Sequence, residues 1–165
     1  MLGELDISIA QGGWPSDCED RIEACVKAAL VHCQTDIGER AFELSILLSN
    51  DEQVQALNRE YRGKDKPTNV LSFPALECAA PGHLLLEPGP LHLGDIVLAY
   101  GVVAREAQAQ GISFDDHLSH LIIHGVLHLI GFDHMENDEA EEMETLEITI
   151  LKEFGIANPY DSEAQ

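Results

Sequence analysis

Apolar and polar residues alternate from Leu5 to Ala10, the period-two pattern of a half-buried strand, and Gln11-Gly12-Gly13 breaks it. The period then changes. Ser16 and Glu19 have capping-box spacing, and Ile22, Cys25, Val26, Ala29, Leu30 and Cys33 follow on one face of a helix. Phe42 to Ser49 (FELSILLS) reads as a second strand. Asn50 is placed to cap a helix that carries Val54, Leu57 and Tyr61 at helical spacing. Asp65-Lys66-Pro67 marks a turn before a third strand, Asn69 to Phe73, which Pro74 stops. Ala75 to Pro90 is a long loop rich in Gly and Pro. Leu93 to Leu98 gives a fourth strand, and Ala99 to Gln110 a helix closed by Gly111.

The most apolar helix comes next. Ser113 caps it, with Asp116 at the capping-box position, and Leu118, Leu121, Ile122, Leu129 and Ile130 bury one side. A helix so apolar is central to the fold. The last helix, Glu136 to Phe154, turns Met143, Leu146, Ile150 and Phe154 inward, and its early carboxylates suit the positive end of the helix dipole. Four strands and about five helices in this order predict an α/β (α+β) fold. It is one domain over residues 1–165, a small mixed four-stranded sheet with helices packed on it, without repeat or linker. A length of 165 residues and a hydrophobic content of 45% support one packed core and exclude disorder.

Chemistry enters at the exit of the central helix, in HGVLHLIGFDH. His124 and His128 are one turn apart on one face, Gly131 ends the helix, and the returning chain brings His134 from outside it. Three imidazoles converging from one side leave a fourth tetrahedral position open, the mark of a catalytic zinc-type site. The spacing alone also suits Ni, Co or Fe. The frame H-x-x-x-H-x-x-G-x-x-H is that of the metzincin peptidases, but Gly125 stands where those enzymes carry their Glu base. A glycine inside a helix costs about 1 kcal/mol relative to Ala, so Gly125 points to close approach of a backbone or a substrate. His120, one turn before His124, reads as support for the ligands or as a core histidine. His117 reads as solvated, and His83 and His92 as incidental. Asp133 either assists at the metal or caps the next helix.

HGVLHLIGFDH, together with YRGKDKPTNVLSFP (Tyr61 to Pro74) and LGDI (Leu93 to Ile96), resembles the YbeY family of bacterial rRNA-maturation endoribonucleases. The likeness in order of elements runs from about Leu5 to Tyr160. It implies a cytoplasmic, single-domain zinc enzyme that cuts single-stranded RNA in 16S rRNA 3′-end maturation and ribosome quality control. Its metal ligands are then His124, His128 and His134, and Arg62 matches the family's functional arginine. The segment between Pro74 and Leu93 is longer than the family pattern.

Net charge opposes a nucleic-acid partner at first sight, with 9 Lys+Arg against 30 Asp+Glu and a balance of −21. Four of the nine cations, Arg59, Arg62, Lys64 and Lys66, lie within eight residues, and this cluster is the candidate RNA-binding segment. Glu136 to Glu147 forms a dense acidic run on a separate helix, and so acidic a body also suits a basic partner such as a ribosomal protein. Few aromatics argue against base-stacking platforms. Cys18, Cys25, Cys33 and Cys78 form no metal spacing and read as reduced thiols. No apolar run approaches the about 20 residues that span a bilayer, and no secretory signal opens the chain. Neither a membrane nor DNA is expected as a partner. The function read from these features is a metal-dependent endoribonuclease in which Arg62 holds the phosphate as a bidentate fork. Asp133, metal-bound hydroxide and the RNA 2′-hydroxyl stand as alternatives for the base or nucleophile. The rival readings are a metallopeptidase without the usual Glu and a non-catalytic, metal-stabilised ribosome assembly factor.

Overall fold

A computed structural model describes residues 3–10, 13–33, 41–75, 90–132 and 137–160. Its elements are β1 (Gly3–Ile9), α1 (Cys18–His32), β2 (Phe42–Ser49), α2 (Asp51–Arg62) and β3 (Val70–Pro74), then β4 (Leu91–Ala99), α3 (Tyr100–Gln110), α4 (Phe114–Ile130) and α5 (Asn137–Glu153). The strands make one mixed sheet in the order β1-β2-β4-β3. β1, β2 and β4 run parallel, and β3 pairs antiparallel with β4. The α+β expectation of four strands and five helices holds among the described residues.

Burial explains the strand sequences. The faces of β4 divide between two clusters, Leu93, Ile96 and Leu98 in the main core and Val97 and Ala99 in a smaller one with Val54 and Leu71 of α2 and β3. β2 keeps its alternation, with Glu43 and Ser45 exposed, whereas the second half of β4, covered on both faces, reads as the nearly continuous apolar run IVLA. Gly94 has a positive φ of 128°, and a Cβ there would lie 2.2 Å from the Phe73 carbonyl oxygen. Only glycine lets β3 and β4 approach at this point.

Two caps form as the sequence suggests. The Asn50 side chain accepts from the Gln53 amide at 2.8 Å and the Ser113 side chain from the Asp116 amide at 3.0 Å. The capping box at Ser16 and Glu19 does not form. α1 begins at Cys18 with Asp17 as N-cap and no side-chain cap bond, and the Cys18 amide binds the Pro15 carbonyl in the entering turn.

α4 is the centre of the molecule and contacts α1, α3, α5, β3 and β4. Leu118, Leu121, Ile122, Ile123, Val126, Leu127, Leu129 and Ile130 are all buried on it. At about 1.5–3 kcal/mol per side chain this is on the order of 10–20 kcal/mol of gross burial, enough to outweigh the glycine at position 125 many times over. That glycine has a steric cause. A Cβ on Gly125 would lie 3.0 Å from Ile96 Cδ1 and 3.3 Å from Ser72 Oγ. Close approach is therefore real, but it comes from two sheet side chains and not from the backbone or substrate expected.

Candidate metal centre

His124 and His128 lie on the last two turns of α4 with parallel rings, 2° apart in plane and 6.5 Å between centroids. Each imidazole is oriented through its Nδ1. His124 Nδ1 donates to Glu147 Oε1 at 2.6 Å, and His128 Nδ1 donates to the Phe132 carbonyl at 3.2 Å. A carboxylate and a carbonyl only accept, so both Nδ1 atoms carry a proton, and in the neutral ring Nε2 is then the nitrogen with the lone pair a metal takes. The Phe132 carbonyl is in reach because Gly131, at φ 123°, turns the chain back at the helix end. His134 and Asp133 lie outside the described residues.

Glu147 was not singled out from sequence. Its side chain on α5 is 0% exposed, and it accepts from His120 Nε2 at 3.3 Å as well as from His124 and from the Tyr160 hydroxyl. Burial by itself would raise its pKa, but the hydrogen bonds from His120, His124 and Tyr160 and the charge of His124 outweigh burial and hold it down at about 2. Burial and the adjacent carboxylates of Glu147 and Glu144 push the Tyr160 hydroxyl far up, so it remains a donor. A signal for Glu147 does exist in the sequence. Met143, Glu147, Ile150 and Leu151 follow the inward stripe of α5, and the carboxylate interrupts it. Tyr160 carries no such signal.

His120, His124 and Glu147 offer ligand atoms within 4.8 Å of one another, a group compatible with a metal ion. Those atoms are already paired by hydrogen bonds, and His120 directs an N–H at Glu147. His120 Nε2 lies 3.3 Å from the Glu147 carboxylate that also binds His124, and 3.2 Å from the Tyr160 hydroxyl.

His117 departs from expectation. It is buried, because its Nε2 donates to Glu106 Oε1 of α3 at 2.9 Å, and its Nδ1 is buried with no hydrogen-bond partner. His92 is exposed and pairs with Glu43 on the neighbouring strand. His83 and Cys78 lie outside the described residues, while Cys18, Cys25 and Cys33 are buried. Burial raises the Cys25 thiol pKa, which keeps it protonated and inert.

The cationic segment follows α2. Gly63, left-handed at φ 70°, closes that helix, and buried Asn58 binds the Lys66 carbonyl at 2.9 Å, which ties the loop down. Arg59, Arg62, Lys64 and Lys66 are all exposed. Arg59 pairs with Asp65 at 3.4 Å. Arg62 makes no ion pair with Glu60 or Asp65 among the described residues, and instead one nitrogen binds the Ser72 carbonyl at 3.1 Å. Ser72 is the residue whose hydroxyl faces Gly125, next to His124. One strand residue thus links the arginine to the ligand helix.

A cleft of about 490 Å³ lies elsewhere, bordered by Asp6, Gln53, Leu57, Tyr61, Phe73 and Asp95. None of the described histidines lines it, and its two aspartates repel phosphate. Among the described residues no helix is long and apolar enough to cross a membrane.

Comparison with known proteins shows the family. The family model for endoribonuclease YbeY matches residues 8–155. Endoribonuclease YbeY of Paramagnetospirillum magneticum is 46% identical over 163 residues, covering 97% of each chain. The Chelativorans protein of the same name is 47% identical over 159 residues, covering 94% of this chain and 92% of its own. A Thermotoga maritima protein solved in solution is 21% identical with a TM-score of 0.57, covering 96% of this chain and 99% of that one, and shares the fold. The chain belongs to the YbeY family of endoribonucleases and is a hydrolase that acts on RNA.

Proposed function

We propose that this chain, as a single domain over residues 1–165, cleaves single-stranded RNA in the cytoplasm, in 16S rRNA 3′-end maturation and ribosome quality control. The metal is zinc, one ion held by Nε2 of His124, Nε2 of His128 and by His134. The observation that carries this reading is the pair of Nδ1 hydrogen bonds, to Glu147 and to Phe132, which fix both imidazoles in the tautomer a metal accepts. Bound there, zinc supplies an acidified water, pKa about 7, and polarisation of a phosphoryl oxygen.

The chain's own residues do the rest. Arg62 binds the scissile phosphate. Support comes from its exposed guanidinium, steadied by Ser72 beside the ligand helix, in a chain with few cations. A planar fork matches paired phosphate oxygens, which a lysine ammonium does not. Arg59, Lys64 and Lys66 add weaker, sequence-independent attraction for the strand. Asp133 is the candidate base. The strongly acidic body suits a basic ribosomal protein as partner, and neither DNA nor membrane has a part in the reaction.

The test is cleavage of defined single- and double-stranded RNA, with and without a chelator, with His124→Ala as control. Metal-dependent cutting of the single strand alone is expected. Undiminished cutting by the chelated protein or by His124→Ala would overturn the proposal. A 2′,3′-cyclic phosphate end indicates attack by the RNA 2′-hydroxyl, and a 5′-phosphate end indicates water.

A further inference from the structure

A carboxylate with no solvent exposure sits in the seam between α4 and α5, on a stripe otherwise made of Met143, Ile150 and Leu151. Burying an unpaired ion costs several kcal/mol, and an apolar residue of similar volume is often the more stable choice. Here three donors converge on its two oxygens: His124 on Oε1, His120 and Tyr160 on Oε2. Tyr160 comes from beyond the end of α5. Gly155 reverses the chain in a left-handed turn, Ile156 packs on the core, and the Asn158 side chain accepts from the Tyr160 amide at 2.8 Å. The phenol then reaches back to Glu147 and also contacts the His120 ring, edge to face at 5.5 Å.

We infer that Glu147 and Tyr160 are positioning residues, and that the chain after α5 acts as a strap that holds His124 in the metal-accepting orientation. The carboxylate sets the His124 ring by its bond to Nδ1, and the phenol sets the carboxylate. Neither residue touches metal or RNA. The inference rests on the reading that His124 ligates through Nε2, and it adds that retention of the metal depends on a tyrosine outside the ligand motif. Coupling runs in both directions, since whatever the strap contributes to the metal the metal returns to the strap.

The test measures zinc affinity by competition with a chromophoric chelator, alongside melting of the metal-free and zinc-loaded protein. Variants are Glu147→Gln, Tyr160→Phe, the double variant and His128→Ala. Glu147→Gln keeps the shape but loses the charge and should bind zinc about 10- to 100-fold more weakly, the usual loss when the partner of a ligating histidine is changed. Tyr160→Phe should lose less, about three- to tenfold, and should add little in the Glu147→Gln background because it acts through that carboxylate. In both variants the gap in melting temperature between loaded and metal-free protein narrows. A purely structural role would lower both melting temperatures together and leave affinity unchanged. The inference is overturned if both single variants bind zinc within twofold of wild type while His128→Ala loses it. Full zinc retention by His128→Ala would instead remove the ligand reading beneath it.

Discussion

α4 carries three histidine–carboxylate pairs, and the two at its ends, His117–Glu106 and His124–Glu147, use opposite nitrogens. Near the helix start, His117 gives Nε2 to Glu106 at 2.9 Å, and its Nδ1 lone pair is enclosed. Near the exit, His124 gives Nδ1 to Glu147 at 2.6 Å and keeps Nε2 as the acceptor nitrogen. Both pairs satisfy a buried polar group. In the first the remaining nitrogen ends within the packed interior. In the second it belongs to the ring next to His128, whose own Nδ1 is bound by Phe132. A metal takes either imidazole nitrogen, so the difference lies in where the nitrogen left by the carboxylate ends, enclosed at His117 and beside the His128 ring at His124.

The sharpest way to break the contrast is to remove one member from each end. His128→Ala should lose zinc and cut RNA at background level, by metal analysis and single-turnover cleavage. His117→Gln should keep its zinc and lose about 1–3 kcal/mol of stability from the broken buried bond. Zinc loss in His117→Gln would erase the distinction.

If chemistry belongs to the exit end alone, Arg62→Ala should slow cleavage by about 10²–10³-fold with fold and zinc content intact. Arg62→Lys should recover only part of that rate. Lys64→Ala should weaken binding slightly with little effect at saturating RNA. A lower melting temperature with normal turnover in Arg62→Ala would make the arginine a tie to Ser72 and nothing more.

The Glu147 pair should also have a pH signature in metal-free protein. Its folded pKa, about 2, lies below the ordinary 4.5, so the unfolded chain binds the proton first as pH falls. Its stabilisation is therefore complete above about pH 4.5 and is lost as pH falls through about 2, up to about 3 kcal/mol in all. Denaturant titrations of wild type and Glu147→Gln across that range should converge at low pH. A constant difference would contradict the assignment.

The smallest effect concerns salt. If the cluster of Arg59, Arg62, Lys64 and Lys66 makes about two to four phosphate contacts, log K should fall with log[salt] at a slope of roughly −1.4 to −2.8. A slope near about −6 would require a far larger basic surface than these four cations provide.

Local chemistry was the part of this molecule that could be read from sequence. Asn50 and Ser113 cap their helices because cap and amide are three residues apart. Ser16 does not cap because the helix starts one residue later, with Asp17 at the N-cap. The order of elements survived for the same reason, as each depends on its own periodicity. His117 misled because its partner Glu106 sits on another helix, and nothing within α4 announces a buried bond to it. Glu147 was hidden among the acidic residues around it, although its place on the apolar stripe of α5 gave it away. Tyr160 was invisible, since only the folded chain carries it back to Glu147. The ends of the site at Asp133 and His134, and the 76–89 segment, lie outside the described residues.

The most direct measurement of the nitrogen assignment is long-range proton–nitrogen NMR of the histidine rings during zinc titration. His124 and His128 should keep their Nδ1 protons while their Nε2 signals move with one equivalent of zinc, and His117 should not respond. Loss of the His124 Nδ1 proton together with the His120 Nε2 proton would put the ion inside the triangle of His120, His124 and Glu147, and would contradict the assignment.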